Sequence, residues 1–256
     1  MTASPSSIGS DGSDGSDGSD DAHGSDDAHG SHVAEDPEGQ PAGEPTKPAL
    51  RGVFHEVAFF LSLASGAALI WAAPTTGSTL VMVVYAVSIS LLFGVSALFH
   101  RHTWGPVGRR RMRRADHSTI FIAIAGSYTA VAGIALSGWA RTALLCIVWG
   151  GALIGITLRQ VWLDAPKWVI ALPYVVVGWA AVVVLPQLYA ALGPTGFALL
   201  LAGGLAYSAG ALVYALKRPN PVPGVLGYHE VFHACTIVGA VLHFVVIARF
   251  VLPLAT

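Results

Sequence analysis

The chain has 256 residues, of which 54% are hydrophobic and only 11% are Asp, Glu, Lys or Arg. A soluble domain averages about 25% charged residues, so this composition excludes an ordinary soluble globular protein and indicates a membrane protein. The net charge of −1 combines two unlike regions, because residues 1–50 hold eleven acids and one base whereas residues 51–256 hold four acids and thirteen bases.

The first fifty residues form an acidic segment of low complexity. Residues 9–20 read GSDGSDGSDGSD, and Gly, Ser, Asp and His continue to dominate after them. Such a segment has almost no apolar surface to bury, so burial cannot offset the entropy that is lost on ordering. We therefore predict two regions, a disordered acidic Gly/Ser/Asp-rich tail at residues 1–50 and a membrane domain at residues 51–256.

The rest of the chain contains seven long apolar segments separated by short connections. A helix needs about 20 mostly apolar residues to cross a bilayer. Lipid offers the backbone no hydrogen-bond partners, so a segment that crosses it must be helical here. The sequence therefore predicts an all-α membrane protein, a bundle of seven transmembrane helices with spans at residues 53–73, 79–100, 116–138, 141–159, 168–186, 195–216 and 229–252.

The basic residues of the connections predict the orientation of the bundle. With the N-terminus in the cytoplasm, twelve Lys and Arg residues lie on the cytoplasmic side of the membrane, against only Arg141 and Arg249 on the outer side. The positive-inside rule thus indicates a cytoplasmic N-terminus, and seven spans then place the C-terminus outside. We expect a multi-pass protein of the plasma membrane. The arginine-rich segment 109–114 fits an anchor on anionic headgroups better than a nucleic-acid site. Membrane lipids are the expected partners, nucleic acid is not, and the oligomeric state stays open.

A few polar residues inside the apolar region carry the chemistry. Ser96 and His100 are four residues apart and share one helix face, as do His229 and His233. Asp116 begins the third predicted span. In the predicted topology all of them lie at the cytoplasmic end of the bundle, and ionisable groups within spans are costly enough to indicate function.

Three imidazoles and a carboxylate at one depth are typical of a metal site. Three histidine ligands suit zinc with an open fourth position, so we predict Zn²⁺ held by His100, His229 and His233. Asp116 is either a direct ligand or holds a water at the metal, and Ser96 orients Asp116 or that water. The histidines on their own would also fit a hydrogen-bonded structural pair.

These residues lie in motifs that resemble the hemolysin III family. The motifs are SALFH at 96–100, ADHSTIFIAIAGSYTAV at 115–131 and RPNPVPGVLGYHEVFHACTIVGAVLHF at 218–244, together with the early pair His55 and Glu56. The family is related to the adiponectin and progestin receptors and, more distantly, to alkaline ceramidases. The resemblance covers about residues 50–253 and leaves the tail outside.

The resemblance implies a seven-helix bundle with a cytoplasmic N-terminus and a zinc site near the inner leaflet. It implies that the positions of His100, His229 and His233 bind the metal, that Asp116 reaches it through a water, and that Ser96 occupies the matching serine position. One departure is Phe99, where many relatives carry Tyr. This departure removes a hydroxyl beside the site and leaves the ligand positions intact.

Two glutamates beside histidines have two interpretations each. Glu56, near the start of the first span, is either a general acid/base or an interfacial residue paired with His55 or an arginine. Glu230 completes a literal HExxH motif, in which it would be a general base. It points about 100° away from His229 on a helix, which favours a cap of the helix N-terminus.

Two functions of different classes remain. The first is a zinc-dependent intramembrane hydrolase of amide- or ester-linked lipids that enter from the inner leaflet, with Asp116 or Glu56 moving protons. The distant resemblance to ceramidases supports it by analogy. The alternative is a non-enzymatic protein of membrane homeostasis, or a cytolytic pore, with a structural zinc that ties the second, third and seventh helices together.

Overall fold

The computed structural model describes residues 48–255, and all regular structure within them is helical. Residues 1–47 of the predicted tail lie outside the described residues. The α-helices are α1 Val53–Ala72, α2 Thr76–Arg101, α3 Pro106–Ala135, α4 Gly138–Val161, α5 Lys167–Gly178, α6 Leu185–Leu216 and α7 Tyr228–Val246. A 3-10 segment, Ala180–Val184, joins α5 to α6, and a π-helical turn, Ile247–Val251, with a 3-10 turn, Leu252–Leu254, follows α7.

In the described part of the chain, six helical stretches are long enough and apolar enough to cross a membrane. Five of them correspond to α1, α2, α3, α4 and the extended α7, and the sixth is the 50-residue stretch Lys167–Leu216. The all-helical membrane fold is therefore confirmed. The fifth and sixth predicted spans, 168–186 and 195–216, fall together in that long stretch.

The start of the third helix differs from the prediction. The prediction placed 109–114 in a connection before a span at 116, whereas α3 begins at Pro106 and contains the whole arginine run. The prediction excluded these residues from the span because they are charged. Charge does not prevent a helix, however, since arginine is a good helix former and Pro106 in the first turn favours helix initiation. The arginine run therefore forms the first turns of α3.

Consecutive helices pack side by side in a closed ring. Each helix from α1 to α6 contacts the next one, and α7 returns to contact α1. Connections as short as residues 73–75 between α1 and α2 force neighbours to run antiparallel. Helix α3 also packs against α5 and α6, so it lies nearest the centre of the bundle.

A tyrosine of α3 binds the backbone at the point where α5 ends and the 3-10 segment begins. The Tyr128 hydroxyl donates to the carbonyl of Gly178 at 2.6 Å and accepts from the amide of Ala181 at 3.0 Å. In a continuous α-helix the amide of residue 181 would bond to the carbonyl of residue 177. The tyrosine hydroxyl replaces that bond, and the 3-10 segment begins at this point.

Ion pairs and polar contacts join several helix ends at one end of the bundle. Arg51, just before α1, pairs with Glu230 in the first turn of α7. Lys167 at the start of α5 donates to the hydroxyl of Tyr228 at the start of α7. The N-termini of α1, α5 and α7 are therefore held together, and this end of the bundle contains the histidine cluster described next.

Candidate metal centre

Three buried histidines from two helices meet at this end of the bundle. His100 lies in the last turn of α2, and His229 and His233 lie one turn apart at the start of α7. Each offers a ring nitrogen within 4.8 Å of the others, and His100 Nε2 lies 3.1 Å from His229 Nε2. The i, i+4 spacing places both α7 imidazoles on one helix face. The predicted convergence of the three histidines is confirmed.

The geometry and chemistry of this donor set fit a zinc ion. Zinc binds imidazole nitrogen at about 2.0–2.1 Å with tetrahedral angles, which places two such ligands about 3.3 Å apart. The 3.1 Å between His100 Nε2 and His229 Nε2 is close to that spacing. The three rings are at most 7% exposed, so bulk water does not compete for their nitrogens. The cluster is therefore able to hold a metal ion.

Asp116 and Ser96 stand beside the three histidines. Asp116 lies in α3, is 8% exposed, and places Oδ2 4.0 Å from His100 Nε2. That separation is too long for a direct hydrogen bond between the two side chains. Ser96 is buried one turn before His100 and lines the same cavity as Asp116. Both predicted residues are thus adjacent to the histidine cluster.

Glu56 is placed away from the cavity. Its Oε2 accepts from Arg101 Nε at 2.9 Å, and the two side chains are about half exposed, at 45% and 50%. Glu56 therefore forms an ion pair with an arginine, which is one of the interpretations given above. Glu56 is not among the residues that line the cavity in the described part of the chain.

Glu230 caps α7, as its position in the helix suggested. Its Oε2 accepts from the backbone amide of Gly227 at 2.8 Å, and its Oε1 accepts from Arg51 Nε. The side chain is completely buried. Both carboxylate oxygens are therefore engaged in structural hydrogen bonds.

His55 is a member of the site that sequence reasoning missed. Its ring stacks on His233 with 3.8 Å between centroids and 8° between planes, and it is 2% exposed. It also packs edge-on against Phe93 at 5.1 Å. The sequence places His55 beside Glu56 but does not indicate which of the two faces inward.

Two further histidines lie outside the cluster. His117 follows Asp116 but directs Nδ1 to Arg159 at 2.7 Å. His243 donates from Nε2 to the carbonyl of Leu200 in α6 at 3.2 Å. Neither therefore belongs to the donor set of the metal centre.

A mainly apolar cavity of about 170 Å³ extends from the histidine cluster into the bundle. Its polar end is lined by His55, Ser96, Asp116, His229 and His233. Aliphatic and aromatic side chains from α3, α5 and α6 line most of the remainder. Such a cavity favours an apolar ligand with a polar group held at the histidine end.

Comparison with known proteins connects this architecture to one family. The family model described as "Haemolysin-III related" matches residues 44–244. The chain is 32% identical over 182 residues to "Hemolysin-3" of Bacillus cereus, covering 71% of this chain and 80% of that protein. It is 31% identical over 195 residues to "Hemolysin-3 homolog" of Bacillus subtilis (strain 168), covering 75% and 88%. The chain therefore belongs to the haemolysin-III-related family.

Proposed function

We propose that this protein is a plasma-membrane zinc hydrolase that cleaves amide- or ester-linked lipids. One observation carries the proposal: three buried imidazoles lie within ligand distance of one another beside a buried carboxylate, and two of them, His229 and His233, line the polar end of an apolar cavity. Zinc hydrolases commonly use three protein ligands and leave one position open. An apolar cavity that opens onto such a site suits a lipid chain whose carbonyl lies at the metal.

The topology that we propose is seven crossings with a cytoplasmic N-terminus. A straight helix of 50 residues would be about 75 Å long, far more than a bilayer is thick. The stretch Lys167–Leu216 is broken by a 3-10 segment and by Gly193, whose backbone is left-handed with φ 66° before Pro194. Two crossings joined near this break account for its length. The basic helix ends then face the cytoplasm.

Each residue of the site has a distinct part in the proposed reaction. His100, His229 and His233 hold the metal, which when bound polarises a carbonyl and lowers the pKa of a water to about 7. Asp116, whose Oδ2 lies 4.0 Å from His100 Nε2, would accept a proton from the attacking water and return it to the leaving group. Ser96 orients the Asp116 carboxylate. The apolar walls hold the acyl chain and exclude bulk water.

A structural metal in a non-enzymatic protein is the second candidate. The ligands come from α2 and α7, and His100 and His229 are separated by 129 positions. A metal between them would cross-link distant parts of the chain, which favours a clamp for a membrane-homeostasis protein or a pore. The name "Hemolysin-3" of the Bacillus cereus relative suggests cytolysis as the corresponding activity.

A hydrolysis assay separates the two candidates. The zinc-loaded protein, purified in detergent, is incubated with fluorescent long-chain amides and esters, beside the variants His229→Ala and Asp116→Asn. We expect product with wild type and a loss of at least about 100-fold in both variants, since each removes a proposed catalytic function. His102→Ala, at an exposed histidine after α2, is the matched control and should retain activity. Equal turnover by wild type and His229→Ala would refute the hydrolase.

A further inference from the structure

Two polar aromatic side chains line the cavity far from the metal centre. Tyr207 of α6 and His243 of α7 pack edge to face with 5.4 Å between ring centroids, and both line the cavity. His243 is ten residues beyond His233 on a largely regular helix, which corresponds to about 15 Å along its axis. We call Tyr207 and His243 the deep pair.

The deep pair is seated by two glycines in a reciprocal arrangement. A Cβ atom added to Gly203 of α6 would lie 2.3 Å from the Cδ2 atom of His243. A Cβ added to Gly239 of α7 would lie 2.7 Å from the ring of Tyr207. Each ring therefore packs on the glycine that lies one helical turn before the other ring. The close approach of α6 and α7 is built around these two side chains.

Packing alone does not require that these rings be polar. His243 Nε2 donates to Leu200, so Nδ1 of the neutral ring is an acceptor. Within residues 48–255 the Tyr207 hydroxyl and His243 Nδ1 make no hydrogen bond to protein. Both side chains are partly buried and line the cavity, so these two polar atoms are open to a molecule that occupies it. In a mainly apolar cavity, a hydroxyl group on the ligand would give both atoms a hydrogen-bond partner.

We propose that the deep pair binds a hydroxyl group on the acyl chain of the lipid. The hydroxyl would donate to His243 Nδ1 and accept from the Tyr207 hydroxyl. This inference rests on the proposed function only in placing the chain's carbonyl at the metal centre. From there, about 15 Å of extended chain corresponds to about 12 carbons. The preferred chain thus carries a hydroxyl near carbon 12.

The experiment measures binding, so it does not depend on turnover. Stearic acid, 2-hydroxystearic acid and 12-hydroxystearic acid compete with a fluorescent fatty acid for the zinc-loaded protein in detergent. A neutral hydrogen bond contributes about 0.5–1.5 kcal/mol, so with two such bonds we expect 12-hydroxystearic acid to bind roughly 5- to 100-fold more tightly than the other two acids. Tyr207→Phe removes one of the two bonds and should reduce this preference to roughly 2- to 10-fold.

The control is Tyr189→Phe, the same change at a half-exposed tyrosine of α6 that does not line the cavity. It should keep the preference, and equal melting temperatures would show that both variants fold. Equal affinity of wild type for the three acids, binding of none of them, or an unchanged preference in Tyr207→Phe would each overturn the inference. The assay measures binding and needs no cleavage. It therefore tests the deep pair even if the protein does not hydrolyse lipids.

Discussion

Glu230 provides a test that separates a structural carboxylate from a catalytic one. It belongs to the literal HExxH sequence of α7, yet its two oxygens bind the Gly227 amide and Arg51. We expect Glu230→Gln to weaken the fold and to leave chemistry at the metal centre unchanged. The reason is that glutamine keeps an oxygen for the helix cap but loses the charge that balances Arg51.

The size of the effect follows from burial. Glu230 is 0% exposed and Arg51 is 4% exposed. Removing one partner of a buried pair costs about 3–5 kcal/mol, and the retained cap places the expected cost near the lower end, about 3 kcal/mol. For a chain of this size each kcal/mol lowers the melting temperature by about 2–4 °C, so the variant should melt about 6–12 °C lower.

The matched control is Glu56→Gln, which makes the same change in a glutamate that also follows a histidine. Its pair with Arg101 is about half exposed, and exposed pairs contribute about 0–1 kcal/mol. Its melting temperature should therefore fall by less than about 4 °C. Thermal unfolding in one detergent, followed by fluorescence, compares both variants with wild type, and lipid hydrolysis is measured below the lowest melting temperature.

Two results would refute this reasoning. A melting temperature for Glu230→Gln no lower than that of Glu56→Gln would show that the buried pair does not stabilise the end of the bundle. A loss of hydrolysis of about 100-fold or more in a folded Glu230→Gln variant would identify Glu230 as the general base.

Two further changes test the packing of α4 and the role of the carboxylate. A Cβ at Gly155 would lie 2.1 Å from the buried Phe121 ring, so Gly155→Ala should cost about 1–3 kcal/mol in thermal unfolding. Gly150→Ala in the same helix, with open space around it, should show no such loss, and equal losses would contradict the packing argument. Asp116→Asn should lower zinc affinity by about 10- to 100-fold in a chelator titration. An unchanged zinc affinity would contradict the inference that Asp116 supports zinc binding.

The sequence was sufficient to predict an all-helical membrane fold and the convergence of the three histidines. The predicted span at 79–100 lies within α2, Thr76–Arg101, because an uncharged apolar run of that length has no other stable form in lipid. His229 and His233 share a helix face by their spacing alone. His100 was placed with them because alternating helix directions bring the end of α2 to the start of α7.

Other features depend on tertiary contacts that have no local signal. The run from Val175 to Val184 is uniformly apolar, so hydropathy alone does not reveal where the helix is interrupted. The interruption comes from the Tyr128 hydroxyl, which belongs to a different helix. Likewise, His55 and Glu56 are adjacent residues about 100° apart on a helix. Only packing against α7 shows that His55 faces the site and Glu56 faces outward.

Metal content is the most direct test of the metal centre. Zinc per chain is measured by mass spectrometry on protein purified in detergent without chelators, for wild type, His100→Ala, His229→Ala and His233→Ala, with His102→Ala as the control. The three-histidine site predicts about one zinc per chain in wild type and in His102→Ala, and its loss in each of the other variants. Wild type without bound metal, or zinc retained in all three ligand variants, would contradict the site.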